Sequence, residues 1–261
     1  MTSYSKTYSG EFYHRIDYLM NFFDIVSLDL FSTLVYVDRK SFDSHQALKS
    51  ALLQSDEFNI QSDLLDEIIE AYNIKVRSEM HDYNKEKEFR NEDVLKDVCE
   101  EKKSISTSDI EKIVAKTISF YFDEALSLIH PYPGVHDILT YLLEKKYQLV
   151  LTSNHSYPKN GWDVLKKYDL TKYFNRIVFS GDIGWKKPSK KIFTYAFKDM
   201  NYSNKDRIIH IGDNLEADIR GALDYGIKAI WIVSTYKKNE IEEPKGIYGK
   251  ISHIKDITQF L

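Results

Sequence analysis

Glycine and proline are confined to one part of this chain, and that distribution limits its folds more than any other feature. All five prolines and nine of the ten glycines lie at or beyond position 131, and between Glu11 and His130 there is neither. Proline interrupts helical hydrogen bonding and glycine weakens helices entropically, whereas tight turns between strands need both. The first half is therefore predicted to be mostly helical and the second to alternate strands with helices.

Local patterns agree. SHQALKSALL, DLLDEIIEAY (continued by NIKVRSEM) and DIEKIVAKTISFYFDEAL carry apolar residues at helical spacing. The Lys/Glu-rich stretch Asn84–Arg90 reads as a solvated turn or exposed face. From Pro133 the rhythm changes. PGVHDILTYLLEKK, Trp162–Tyr168, SKKIFTYAFKDM and LEADIRGALDY read as helices, interleaved with apolar strands at 147–152, 176–180, 207–211 and 229–233. One further strand, 24–30, precedes the helical half. Strands apolar on both faces belong in a parallel sheet covered by helices on both sides. The expected fold class is α/β, a Rossmann-like parallel-sheet core with an inserted all-helical segment. Its expected parts are an N-terminal extension at 1–21, a core from 22–38 and 131–261, and the helical insertion 39–130.

Composition limits the function classes. A formal net charge of −4 argues against a nucleic-acid partner, and the most apolar early run is broken by Asp24 and Asp29, which argues against a membrane span. Cys99 is the sole cysteine, so an intrachain disulfide is excluded and a reducing, cytoplasmic location is expected.

Ligands of open parallel sheets bind beyond the carboxyl ends of the strands. There the chain places Asp29, then Ser153 and Asn154, then Lys186 and Lys187 before Pro188, then Asp213 with Asp218. Singly these are ordinary turn or cap residues. Jointly they supply a nucleophile, a cation-binding carboxylate, a hydrogen-bond donor and a positive charge, the set that transfer of an anionic group requires.

The order LDLFSTL, LTSN, KKP, GDNLEAD resembles the four motifs of the haloacid dehalogenase superfamily, and the helical insertion resembles its C1-type cap. That resemblance implies a Mg²⁺-dependent phosphatase acting on a small phosphorylated molecule. Asp29 would be the nucleophile, and Asp29, Asp213 and the backbone carbonyl of Phe31 would hold the metal. Ser153 would hydrogen-bond the transferring group, with Ser32, Asn154, His155 and Arg39 toward the substrate. Lys187 would stabilise negative charge, Asp218 would orient Lys187 or a metal-bound water, and Lys186 would point elsewhere. Tyr36 and Trp185 are candidates for the entrance, and Tyr72, Arg77, His81 and Arg90 for substrate choice.

Phe31 departs from the phosphatase pattern, in which a second Asp protonates the leaving oxygen. Substrates with good leaving groups are therefore expected, with His155 a candidate substitute acid. An aromatic residue here also resembles the metal-independent 2-haloacid dehalogenases of the superfamily, a second reading. A third is a weak or inactive member that binds a ligand or a protein.

Overall fold

The computed structural model describes residues 22–38, 40, 43–55, 62–102, 110–233 and 243–261. The expected extension at 1–21 and the candidate Arg39 lie outside them.

Alternation of buried side chains builds the central layer. In β1 (Ile25–Leu28), Val26 and Leu28 join one apolar cluster and Ile25 the other. The same split recurs in β4 (Gln148–Ser153), β6 (Ile208–Gly212) and β7 (Lys228–Ile232), so each strand is buried on both faces. With β5 (Arg176–Phe179) and β8 (Gly249–Ile251) they form a six-stranded sheet, order β5-β4-β1-β6-β7-β8, every pairing parallel. This is the expected α/β core.

Helix α5 (Val135–Glu144) covers one face with Val135, Ile138, Leu139 and Leu142. Helix α6 (Pro158–Lys167) adds Val164 and Leu165 there. After β5 comes the short α7 (Ser180–Ile183). Helix α8 (Lys190–Phe197) covers the other face, with α9 (Gly221–Tyr225) beside it. The C-terminal residues, which no motif explains, supply β8 and a 3₁₀ turn at Ile254–Gln259 whose Ile254 and Ile257 enter the first cluster.

Among the described residues of the glycine-free half there are four helices: α1 (Ser44–Ser55), α2 (Ser62–His81), α3 (Asn91–Glu101) and α4 (Ile110–Ser127). Their apolar faces meet in a separate cluster that includes Leu48, Ile69, Leu95, Val98 and Ile118. Helix α3 does not stand out in the sequence because seven of its eleven residues are charged or amide. Its apolar residues Val94, Leu95, Val98 and Cys99 face inward, with Asn91 buried beside them.

The passage between the two parts is a ribbon rather than a helix. Strands β2 (Val35–Val37) and β3 (Ile129–Pro131) pair antiparallel, with Tyr36 opposite His130. The chain thus leaves and re-enters the core along two adjacent strands, and β3 straddles the boundary expected at 130/131. β-branched and aromatic residues at 35–37 favour extended chain here.

Candidate active site

Register decides which strand ends meet. Leu28 pairs with Leu151 on one side and Ile211 on the other, so the next residue, Asp29, emerges between the ends of β4 and β6. Its N–H donates to Ile211 O at 2.9 Å. The chain then turns at once: Leu30 O accepts from Leu34 N–H (2.8 Å) and Val35 N–H (3.0 Å), and Ser32 sits at φ 61° in the left-handed region.

Lys187 is the hub. Its ammonium, with the residue 1 % exposed, donates to Asp29 Oδ1 (2.8 Å), Asp218 Oδ1 (2.5 Å) and Thr152 O (2.7 Å). All three of its N–H donors are therefore used. Asp218 also accepts from His210 Nε2 (3.2 Å) and, through Oδ2, from Asn214 N–H (2.9 Å). A carboxylate on Nε2 assigns the proton to that nitrogen, leaving Nδ1 to accept from Ser27 Oγ at 2.9 Å.

Two local features aim Asp218 inward. Residues Leu215–Arg220 form a π-helical turn, capped by Asn214 Oδ1 accepting from Glu216 and Ala217 N–H (both 3.0 Å), where a regular helix was expected. Gly212 leaves the space: a Cβ there would lie 2.3 Å from the Asp218 carboxyl carbon.

Burial alone would raise the Asp218 carboxyl, but Lys187 and His210 more than offset it and hold Asp218 well below the usual range. Burial opposes the Lys187 charge, yet Asp218 and Asp29 keep its pKa above normal. Asp29 is pushed up to about 6 by burial, against the pull of Lys187. Asp213 is pushed up to about 7 by burial and then by the charges of Asp218 and Asp29. Lys187→Met is expected to destabilise the fold by about 3–5 kcal/mol, because it strands two buried carboxylates. Urea unfolding checks this, and a loss within error of zero would contradict the hub.

Asp29, Asp213 and Asp218 each offer a carboxylate oxygen within 4.8 Å of the others. Both oxygens of Asp218 are already occupied by N–H donors. The oxygens open to a metal are therefore Asp29 Oδ2 and the Asp213 carboxylate, which receives no side-chain hydrogen bond among the described residues. Three carboxylates face one ammonium, a deficit of positive charge, and an all-oxygen donor set suits Mg²⁺. The residues fit that ion. Trp231 Nε1 donates to Asp213 O (3.0 Å) and holds this loop. The Phe31 carbonyl accepts no hydrogen bond among the described residues.

Other sequence candidates divide. Ser153 Oγ is buried without a hydrogen-bond partner, close enough to Asp29 to favour its charge. Asn154 is committed elsewhere: Oδ1 accepts from Lys187 N–H (2.7 Å) and Nδ2 donates to Lys187 O (2.9 Å). Its side chain fixes the hub's backbone rather than a substrate. The Ser32 N–H donates to Val35 O at 2.7 Å, so only its exposed hydroxyl is open to a ligand.

His155 does not suit the substitute-acid role. Burial pushes its pKa down to about 4, Nε2 pairs with Asn160 Oδ1 (3.2 Å), and its ring lies 5.0 Å from Phe31 and 5.9 Å from Phe122. A neutral imidazole walled by rings is a poor proton donor at neutral pH.

Lys186 turns away from the carboxylates; 2 % exposed, it donates to Glu79 O near the end of α2. Trp185 lies under the Lys191 ammonium (3.5 Å), and Tyr36 packs beside Tyr132 on the ribbon. Tyr72 is buried in the helical cluster, donating to Asn91 Oδ1 (2.6 Å), so it is unavailable to a substrate. Arg77, His81 and Arg90 are exposed.

The stretch Asn84–Arg90 is more than a solvated face. Glu86 O accepts from Lys186 N–H (2.9 Å), Glu88 N–H donates to Gly184 O (3.1 Å), and the Glu86 carboxylate meets Ser189 and Lys191. Just before it, Tyr83 OH accepts from Asn214 Nδ2 (2.9 Å). These tie the helices to the site's rim across more than 90 positions, a pairing that local pattern cannot reveal. Asn214 was open to recognition as a helix cap directly after Asp213.

Residues 48–232 match the family model described as haloacid dehalogenase-like hydrolase. A glyceraldehyde 3-phosphate phosphatase of Pyrococcus abyssi is 28% identical over 120 residues, 46% of this chain and 50% of that protein. The chain spans about half the length of the curated relatives it first matches. Among solved structures, magnesium-bound YfnB of Bacillus subtilis superposes with TM-score 0.61 at 18% identity, covering 92% of this chain and 98% of that one. A 2-haloacid dehalogenase from Pseudomonas syringae pv. Tomato gives TM-score 0.65 at 16% identity, covering 91% and 97%. At such identities these two speak for the fold.

Proposed function

Because this chain belongs to the haloacid dehalogenase-like hydrolase family, we propose that its buried carboxylate–lysine site is that of a Mg²⁺-dependent phosphatase acting on a small phosphorylated metabolite. The carrying observation is the convergence of Asp29, Asp213 and Asp218 on one another around Lys187. Relatives include a phosphatase of a three-carbon sugar phosphate, which favours a small substrate.

Asp29 attacks phosphorus through one carboxylate oxygen, the bond to the leaving oxygen breaks, and an aspartyl phosphate forms. Water then cleaves that acyl phosphate, releasing inorganic phosphate and restoring Asp29. Asp29, Asp213 and the Phe31 carbonyl would hold the cation, whose charge offsets repulsion between carboxylate and phosphate. Lys187 stabilises negative charge on Asp29, and the orphaned Ser153 hydroxyl donates to a phosphoryl oxygen. Asp218 keeps Lys187 in place. Residues 39–130 act as a cap over a core formed by 22–38 and 131–261, limiting water. Neither Phe31 nor His155 supplies a proton, so the leaving group departs as an anion, which favours acyl and aryl phosphates.

No described helix is long and apolar enough to cross a membrane. A cytoplasmic location belongs to the same reading, supported by a single cysteine, Cys99, which excludes an intrachain disulfide.

The test is hydrolysis of 4-nitrophenyl phosphate, acetyl phosphate and a sugar phosphate, with Mg²⁺ and with EDTA, across pH. Turnover of the first two is expected and should stop with EDTA. The metal must displace protons from Asp29 and Asp213, so apparent Mg²⁺ affinity should fall as pH drops below about 7. The sign for stability is opposite. Both carboxyls have raised folded values, so without metal their stabilising contribution is complete near pH 4 and is lost as pH rises through 6 to 7. Mg²⁺ should therefore raise Tm more at pH 8 than at pH 5.

Phe31 favours a second reading, carbon–halogen hydrolysis without metal. Chloride released from 2-chloropropionate in EDTA would select it. Against it stands Asp213, since a second carboxylate beside a metal-free nucleophile only makes Asp29 harder to ionise.

A further inference from the structure

We infer that Glu88, on the helical insertion, is a positioning residue for the Ser153–His155 segment of the core and acts through Ser180. The inference rests on the phosphatase reading for its kinetic consequence but not for its geometry.

Glu88 lies in a charged run that ordinary patterning leaves in solvent, yet its carboxylate turns inward and accepts from the Ser180 hydroxyl. Burial holds its pKa above the usual range, partly offset by Ser180 and by the Lys186 charge. Ser180 Oγ has a second bond: it accepts the His155 backbone N–H at 2.7 Å. The next residue, Gly181, donates its N–H to His155 O at 3.2 Å, and a Cβ on Gly181 would meet that oxygen at 2.7 Å. Both backbone polar groups of His155 are thus held by residues 180–181.

What they hold matters. His155 follows Asn154, which is clamped to the Lys187 backbone, and Ser153, a buried hydroxyl without a hydrogen-bond partner among the described residues. The relay runs from Glu88 Oε2 through Ser180 Oγ to His155 N–H, and so orients the segment that must present Ser153 Oγ to a phosphoryl oxygen. The carboxylate fixes the direction of the hydroxyl: with its proton on Glu88, Ser180 Oγ presents lone pairs to the amide. Without Glu88, the Ser180 hydroxyl is free to rotate and that preference is lost. Docking of the insertion on the core is thereby coupled to the geometry of the catalytic segment.

The experiment compares Glu88→Ala, Glu88→Gln, Ser180→Ala and the double Ala variant with the parent chain. It measures Mg²⁺-dependent kcat and KM on 4-nitrophenyl phosphate, and amide hydrogen exchange over residues 153–157. Each single Ala change should lower kcat about tenfold to a hundredfold with KM nearly unchanged, since it displaces a group used in the transition state. The double variant should be no slower than either single, because both break one chain. Glu88→Gln, whose amide oxygen still accepts from Ser180, should restore most of kcat. Exchange over 153–157 should speed up in Glu88→Ala and not in Glu88→Gln.

A folded Glu88→Ala protein with parental kcat, additive losses in the double variant, or a loss in KM alone would overturn the role. If the parent hydrolyses no phosphate ester, the phosphatase reading falls and exchange alone decides. Faster exchange in Glu88→Ala then supports the relay, and unchanged exchange overturns it.

Discussion

Asp29→Asn is expected to lower turnover of 4-nitrophenyl phosphate by on the order of 10⁴-fold or more, with the fold retained. Asn is nearly isosteric, and its Oδ1 still accepts from Lys187, so the buried bond at 2.8 Å survives. What disappears is the anionic oxygen that attacks phosphorus. Removing that charge also relieves repulsion from Asp218, one of the influences that raise the Asp29 pKa. The variant's metal-free Tm at pH 8 should therefore be no lower than the parent's. Rapid-quench assays for labelled acyl phosphate, with Tm alongside, separate the possibilities. Residual turnover near the parental rate in a folded variant would remove Asp29 as nucleophile.

Phe31→Asp is expected to act in the opposite direction, raising kcat on a sugar phosphate by about 10²–10⁴-fold, the usual worth of a general acid. On 4-nitrophenyl phosphate the gain should be far smaller, because that leaving group departs without a proton. This difference between substrates is the diagnostic result, and a pH profile gaining an acidic limb would accompany it. The exchange has a cost. Phe31 is partly buried against the core and packs on His155 at 5.0 Å. Its loss should destabilise by less than the about 3–5 kcal/mol of a fully buried phenylalanine. A folded variant with no gain on sugar phosphates would mean that another group already protonates the leaving oxygen, and the substrate preference would need revision.

Periodicity carried far because it reports local physics. Apolar runs such as RIIHI and YQLVLT cannot satisfy a one-sided sheet, and the absence of breakers over Glu11–His130 leaves helices as the economical structure. The strand ends that bear Asp29, Ser153, Lys187 and Asp213 followed from that reading. Where local signals compete, the pattern fell short. The charged surface of α3 hides a narrow apolar stripe, and the three residues Val35–Val37, extended by type, have their strand partner in the distant Ile129–Pro131.

The roles assigned within the site show the same divide. Asn154 and His155 sit where a substrate-binding pair was expected, but the first is consumed by the Lys187 backbone and the second by Asn160 and a wall of rings. Glu88 was set aside with its charged neighbours, although its carboxylate ends on Ser180, 92 positions away.

The amino-acid order by itself determined the class of fold, the part of the chain that must be helical, and which residue types stand at the carboxyl rim, since each depends on neighbours within a few positions. Only the tertiary structure decided which oxygen of each carboxylate remains open. It also decided which of the charges on the insertion reaches the core. Those outcomes depend on partners that no spacing along the chain specifies, and in a buried pocket a difference of one hydrogen bond changes both the charge a group carries and the role left for it.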